Sequence, residues 1–226
     1  MIYETYLKIL HKVPVMKKGD RVLRQILYAA YERGESFMSQ KALARVCELS
    51  IGMVNLVIAK LERLGTIEKK PLGFKIIDPK KILIYWASKR DLAKDVVYGT
   101  YSPLSVTEIE AQMPPGAIFT GYSGYKLKFG AEPTDYEEVY VYADPREVRR
   151  RFSAREGYKK NLFVLSPDPH LERVSEAGIA PLAQIYVDLW QLGSAANRVV
   201  DELDHKLELS QLGAFEAMIQ RVQKRI

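Results

Sequence analysis

Asn55, Lys60 and Arg63 lie on one side of the stretch Ile51 to Leu64, and Lys69, Lys70 and Lys75 follow closely. These side chains share one chemistry. An asparagine carboxamide sets a donor beside an acceptor, the pairing that adenine offers in the major groove. Lysine and arginine neutralise phosphates and release their counterions. At helical spacing Val54, Val57, Ile58, Leu61 and Leu64 turn to the opposite, core side. Ile51, Gly52, Asn55, Leu56, Ala59, Lys60 and Arg63 are left facing outward. Ser50 is a natural N-cap for this helix. Its first turns would reach base edges, Lys60 and Arg63 would meet phosphate, and Lys69, Lys70 and Lys75 would meet the neighbouring backbone or minor groove. Ile51, Gly52, Met53 and Leu56 offer apolar contact with thymine methyls and few hydrogen bonds.

The flanking segments predict how such a helix is held. Ser39 to Cys47 reads as a shorter helix with Leu43, Val46 and Cys47 inward and Ala44 small at the crossing. Glu48 to Ser50 reads as a turn plugged by Leu49. Gly65 to Ile77 reads as a two-stranded ribbon. Helix, turn, helix and basic ribbon together predict a winged helix-turn-helix. The same hydrophobic skeleton also serves as a protein-interaction module without DNA. Before this motif, the spacing predicts an amphipathic helix over 2–13 (Ile2, Tyr6, Ile9, Leu10, Val13) closed by Pro14. A second helix has Val22, Ile26, Ala29 and Ala30 inward and ends at Gly34. Asp78 and Pro79 predict the start of a helix reaching about Asp91, with Ile82, Leu83, Tyr85 and Trp86 apolar.

Charge is divided unevenly along the 226 residues. Residues 1–92 hold 18 Lys/Arg against 9 Asp/Glu, and residues 93–226 hold 16 against 19. The excess positive charge therefore travels with the first segment, where it would attract phosphate. The 47% apolar and 27% charged composition is that of a globular protein. One cysteine, Cys47, allows no internal disulfide. No apolar run has the length of a membrane span, and the first residues lack the pattern of a secretory signal, so a cytoplasmic location is expected.

After Lys94 short apolar runs (Val96–Tyr101, Ala117–Thr120, Val139–Tyr142, Asn161–Leu165) alternate with helical stretches near Ser105–Met113, Gly121–Phe129, Pro145–Phe152, Leu182–Leu192 and Ala195–Leu207. The expected fold class is α+β: a winged helix-turn-helix over 1–92, then a mixed α/β domain with a small sheet over 93–226. Leu212, Phe215, Ile219, Val222 and Ile226 form a narrow heptad-like seam. With the opening helix and the paired half-sites of most such readers, it points to a homodimer.

Three stretches of the second segment resemble the AbiEi family, the antitoxin and transcriptional-regulator half of type IV toxin–antitoxin systems. They are Ala117 to Leu127, Glu138 to Asp144, and Asn161 to Leu165 continuing through Ile179 to Trp190. An N-terminal winged helix before such a domain is similar to that family's layout, and the likeness covers most of residues 20–207. The resemblance implies a repressor that binds repeats in the promoter of its own operon. It also implies an antitoxin that opposes a nucleotidyltransferase-like toxin without necessarily binding it.

Arg146, Arg149, Arg150, Arg151, Arg155, Lys159 and Lys160 crowd an otherwise acidic segment, and Arg146, Arg149 and Arg150 share a helix face. They read either as a second polyanion contact, on DNA or RNA, or as a solvated face paired with Glu147 and Glu156. Thr120 to Gly124 followed by Asp135, Glu137 and Glu138 sketches a nucleotidyltransferase-like layout, which needs two carboxylates one residue apart on a strand to hold metal ions. Asp135 and Glu137 have the spacing but fall in a segment that reads as loop. This is the alternative function: such an enzyme, or a degenerate relative, with the winged helix as an interaction module. His11, His170 and His205 lack a second ligand at metal spacing, and Cys47 reads as a small core residue. Tyr98, Tyr101, Tyr122, Tyr125, Tyr140, Tyr142 and Tyr186 read as core-edge residues with partnered hydroxyls. No cofactor, catalytic residue or metal ligand is expected. The partner expected is double-stranded DNA, with no membrane.

Overall fold

The computed structural model describes residues 18–130 and 135–209, which form two compact units. The expected opening helix and the heptad-like seam lie outside the described residues. The first unit opens with α1 (Lys18–Glu32), which buries Val22, Leu23, Ile26, Leu27, Ala29 and Tyr31, while Ala30 is only half-buried. Gly34 takes φ +64° just beyond it, a left-handed conformation that glycine adopts at the least steric cost. There follow β1 (Phe37–Met38), α2 (Gln40–Cys47), α3 (Ile51–Arg63), β2 (Ile67–Lys70), β3 (Gly73–Ile76) and α4 (Pro79–Ala87). The expected two-stranded ribbon is part of a three-stranded antiparallel sheet of order β1-β3-β2. The added strand has only two residues, too few to show a period of their own. Asp78 does cap α4, accepting from the amide of Lys81 at 2.8 Å, with Pro79 in the first turn. The helix stops at Ala87, short of Asp91, and Arg90 turns inward beyond it.

The second unit spans 91–180. It comprises α5 (Leu92–Asp95), β4 (Val96–Thr100), α6 (Val106–Ala111), β5 (Ile118–Thr120), α7 (Gly121–Phe129), β6 (Val139–Tyr142), α8 (Pro145–Arg151), β7 (Leu162–Leu165) and α9 (Pro169–Val174). The sheet order is β4-β7-β6-β5, and only β6 and β7 are parallel, joined across the sheet by α8. All four residues of β6 are buried, which fits a central strand covered on both faces. Tyr98, Ile109, Val139, Val141, Val148, Leu162 and Val164 form the core around it.

The chain then returns to the first unit. There α10 (Leu182–Leu189) buries every residue from Ala183 to Leu189, packing on α1 and α4. Two 3-10 turns, Trp190–Leu192 and Ser194–Ala196, lead into α11, which begins at residue 197 and is described to residue 209. This differs from the expected domain limits: among the described residues, 181–209 group with 18–90 and not with 91–180. The reason is polar as well as apolar. Buried Gln184 accepts from Arg24 Nε at 2.9 Å, and buried Asp188 accepts from Arg90 Nε at 2.9 Å and from the Gln184 amide at 3.0 Å. Each of these four side chains is buried with a polar partner among the others, which offsets part of the cost of taking it out of water. The fold class is α+β, with two small sheets.

Candidate nucleic-acid interface

Local capping fixes α2 and α3. Ser39 Oγ accepts from the Ala42 amide at 3.1 Å and starts α2. Glu48 ends it in the left-handed region at φ +55°, its amide turned to Ala44 and Arg45. Ser50 Oγ then accepts from the Met53 amide at 3.3 Å and starts α3. The chain bends by 119° between the two helices. Ser50 therefore already spends acceptor capacity within the fold.

The inner face of α3 is Val54, Ile58 and Leu61, all fully buried, with Val57 and Leu64 half-buried. Ile51, Gly52, Asn55, Leu56, Lys60 and Arg63 are exposed, Leu56 at 68%. On α2, Leu43 and Cys47 are buried, but Val46 is exposed. Its position on the helix turns it past the edge of the apolar stripe. Cys47 Sγ lies 3.5 Å from the Arg21 carbonyl, in the core.

A cleft of about 680 Å³ opens between the start of α2, the outer face of α3 and the ribbon. Ile51, Asn55, Lys69 and Lys70 border it, as do Gln40, Lys41, Pro71 and Leu72, which sequence reasoning passed over. The Ser39 cap was the signal for Gln40 and Lys41, since it places them in the first turn of α2. Gly52, Lys60, Arg63 and Lys75 stand outside the cleft lining. Leu72 is 83% exposed at the ribbon's tip. Gly73 lies so close to β1 that a Cβ there would come within 2.2 Å of the Met38 carbonyl oxygen.

Two carboxylates, Glu62 and Glu68, lie among these cations. Lys69 pairs with Glu62 and Lys70 with Glu68, each at 2.5 Å, and Lys75 stands opposite Glu68 across the strands. Arg63 Nε donates to the Ala59 carbonyl one turn back at 3.3 Å.

No family model, no curated protein and no solved structure matches this chain.

The second basic cluster is exposed but tied locally. Arg146 forks onto Asp144, with Nη2 to Oδ2 at 2.7 Å, and these bonds hold the Asp144 carboxyl below its ordinary range. Arg149 lies over the Tyr98 ring at 4.8 Å, and Arg150 Nε reaches the Arg146 carbonyl at 3.4 Å. Arg151 donates to the Gln112 carbonyl at 2.9 Å. Lys159 lies 3.4 Å from Glu138. The close partners are thus Asp144 and Glu138, while Glu147, expected as a partner, adds its charge at Arg146.

Asp135 and Glu137 are exposed in the loop before β6. Among the described residues no group of three or more His, Cys, Asp or Glu side chains is placed to hold a metal ion. His170 is buried in α9 and His205 is exposed on α11. Tyr98 and Tyr140 do use their hydroxyls, donating to the Phe152 carbonyl at 2.6 Å and to Glu138 at 3.3 Å. Burial, then the Glu138 charge, pushes the Tyr140 phenol far above its usual range, so it stays a donor.

Proposed function

We propose that this chain is a sequence-specific, duplex-DNA-binding transcriptional regulator that reads its site with α3 and braces on the ribbon. The observation that carries the reading is the shared cleft. The exposed side of α3, bearing Asn55, and the lysine-bearing ribbon border one concavity. The order α1, β1, α2, α3, β2, β3 and the 119° bend over a three-residue turn support a winged helix-turn-helix, whose two helices cross at about 90–120°. Around the cleft and its rim six cations (Lys41, Lys60, Arg63, Lys69, Lys70 and Lys75) outnumber Glu62 and Glu68. A surface with that balance attracts phosphate.

The family likeness extends the proposal. The chain would be an autorepressing antitoxin of AbiEi type, acting in the cytoplasm on its own promoter and opposing a nucleotidyltransferase-like toxin. No single helix among the described residues is long and apolar enough to cross a membrane.

Selection of bound fragments from random duplex DNA, followed by titration at several salt concentrations, tests the first part. Asn55→Ala should cost about 1–3 kcal/mol on the selected site and little on other duplexes. Lys69→Ala with Lys70→Ala should weaken binding to every duplex and flatten its salt dependence. Unchanged titrations for both variants would reject this face as the contact.

A protein-interaction module is the second reading, favoured by the exposed apolar side chains Ile51, Leu56 and Leu72 on the same face. It predicts a captured protein partner and no salt-sensitive DNA retention.

A further inference from the structure

A second concavity, of about 450 Å³, lies wholly within the 91–180 unit, at the end of the sheet where β4 and β7 meet. One wall is aromatic. Tyr101 and Tyr158 stack with ring centroids 4.7 Å apart and planes within 14°. Tyr101 is half-buried beneath, while Tyr158 is 63% exposed above it, with a ring face turned outward. Lys159 and Lys160 follow Tyr158 directly, and the Lys160 stem lies beside Gly99, where a Cβ would come within 3.2 Å of its Cδ. Glu137 and Glu138 also line the cleft.

The platform is braced from below. Thr100 Oγ1 donates to the Ser153 carbonyl at 3.1 Å and accepts from the Arg155 amide at 3.1 Å. At the other end of the loop the Asn161 amide donates to the Thr100 carbonyl at 3.1 Å. The Asn161 carboxamide clasps both backbone groups of Ser102, at 2.7 and 2.8 Å. The loop that carries Tyr158 is thus pinned at both ends to the end of β4. Glu138 is aimed by two groups, the Tyr140 hydroxyl at 3.3 Å and Lys159 at 3.4 Å.

An open tyrosine face beside two lysines and two carboxylates matches the three parts of a nucleotide. A ring face stacks on a base, ammonium groups take phosphate, and carboxylates accept from exocyclic amines or a ribose hydroxyl. A duplex hides its base faces and would leave the Tyr158 ring without one to stack on. We infer that this cleft binds single-stranded nucleic acid, with an unpaired base stacked on Tyr158 and the adjoining phosphates on Lys159 and Lys160. The site is separate from the α3 face and does not depend on duplex binding there.

Fluorescence anisotropy of the full-length protein with a short labelled oligoribonucleotide, and with the oligodeoxyribonucleotide of the same sequence, tests this. Tyr158→Ala should weaken binding about tenfold or more, and Tyr158→Phe, which keeps the ring, should bind within about twofold of the parent. Lys160→Ala should weaken binding and reduce its salt dependence. Lys69→Ala with Lys70→Ala should leave this binding unchanged, so failure of the α3 proposal would be read separately. The ribose arm tells RNA from DNA: a carboxylate on the 2′-hydroxyl predicts tighter binding of the RNA strand. Equal binding by Tyr158→Ala, or a loss in Tyr158→Phe as large as in Tyr158→Ala, would overturn the proposal. Displacement of the oligomer by an equal concentration of adenosine monophosphate would also overturn it, by showing a site for free nucleotide.

Discussion

Glu62 and Glu68 bear on the proposed duplex contact as directly as the lysines do. Each holds a ribbon lysine in the free protein, and exposed pairs of this kind are worth about 0–1 kcal/mol. A phosphate approaching Lys69 or Lys70 must take the ammonium from its carboxylate and stand near a like charge. Glu62→Gln with Glu68→Gln should therefore tighten binding to every duplex by severalfold and steepen its dependence on salt. Anisotropy titrations at two salt concentrations would check it, and weaker or unchanged binding would place phosphate elsewhere. At this scale the sequence made one half of the surface legible. Helical spacing was enough to turn Asn55, Lys60 and Arg63 outward and Val54, Ile58 and Leu61 inward. The ion pairs were hidden because they join the end of a helix to a strand, or two residues along one strand. A tally of charge carries no such neighbours.

Among the elements, those with a chemical start signal were readable. Ser50 caps α3, Asp78 and Pro79 open α4, and the β-branched and aromatic run Val139–Tyr142 is a strand as expected. The two-residue β1 was not, because its pairing is with β3, far along the chain: Phe37 opposite Lys75 and Met38 opposite Phe74. What fixes it is an absent side chain. At Gly73 a Cβ would fall 2.2 Å from the Met38 oxygen and 2.9 Å from its carbon, both backbone atoms that cannot swing aside. Gly73→Ala should push β1 from the sheet and cost about 1–3 kcal/mol, the range for an overpacked site. The Ile76 amide, which donates to the Ser36 carbonyl at 2.7 Å, should then exchange its hydrogen faster. Exchange and denaturant midpoint equal to those of the parent would show that β1 is not held by this contact.

On the scale of the whole molecule, the chain leaves the first unit at Arg90 and re-enters it at Pro181. Chain order alone implies that a boundary is crossed once, and on that basis the helical run at Leu182 reads as part of the segment before it. Its polar residues gave no warning, because Gln184 and Asp188 at helical spacing look like a solvated edge. They are buried because Arg24 and Arg90, remote in sequence, satisfy them. Arg90 and Asp188 are 1% and 0% exposed, so neither charge has water to fall back on. Asp188→Ala would leave the Arg90 guanidinium buried without this partner and strip two hydrogen bonds from the Gln184 amide. A loss of about 3–5 kcal/mol is expected from breaking such a pair. The double variant Arg90→Ala with Asp188→Ala should cost less than the sum of the two single changes, because the second removal takes away a charge already stranded. Denaturant titration of the four proteins measures that coupling. Additive losses would mean that the ion pair does not tie α10 to the first unit, and the return of the chain would then rest on the apolar face of α10 alone.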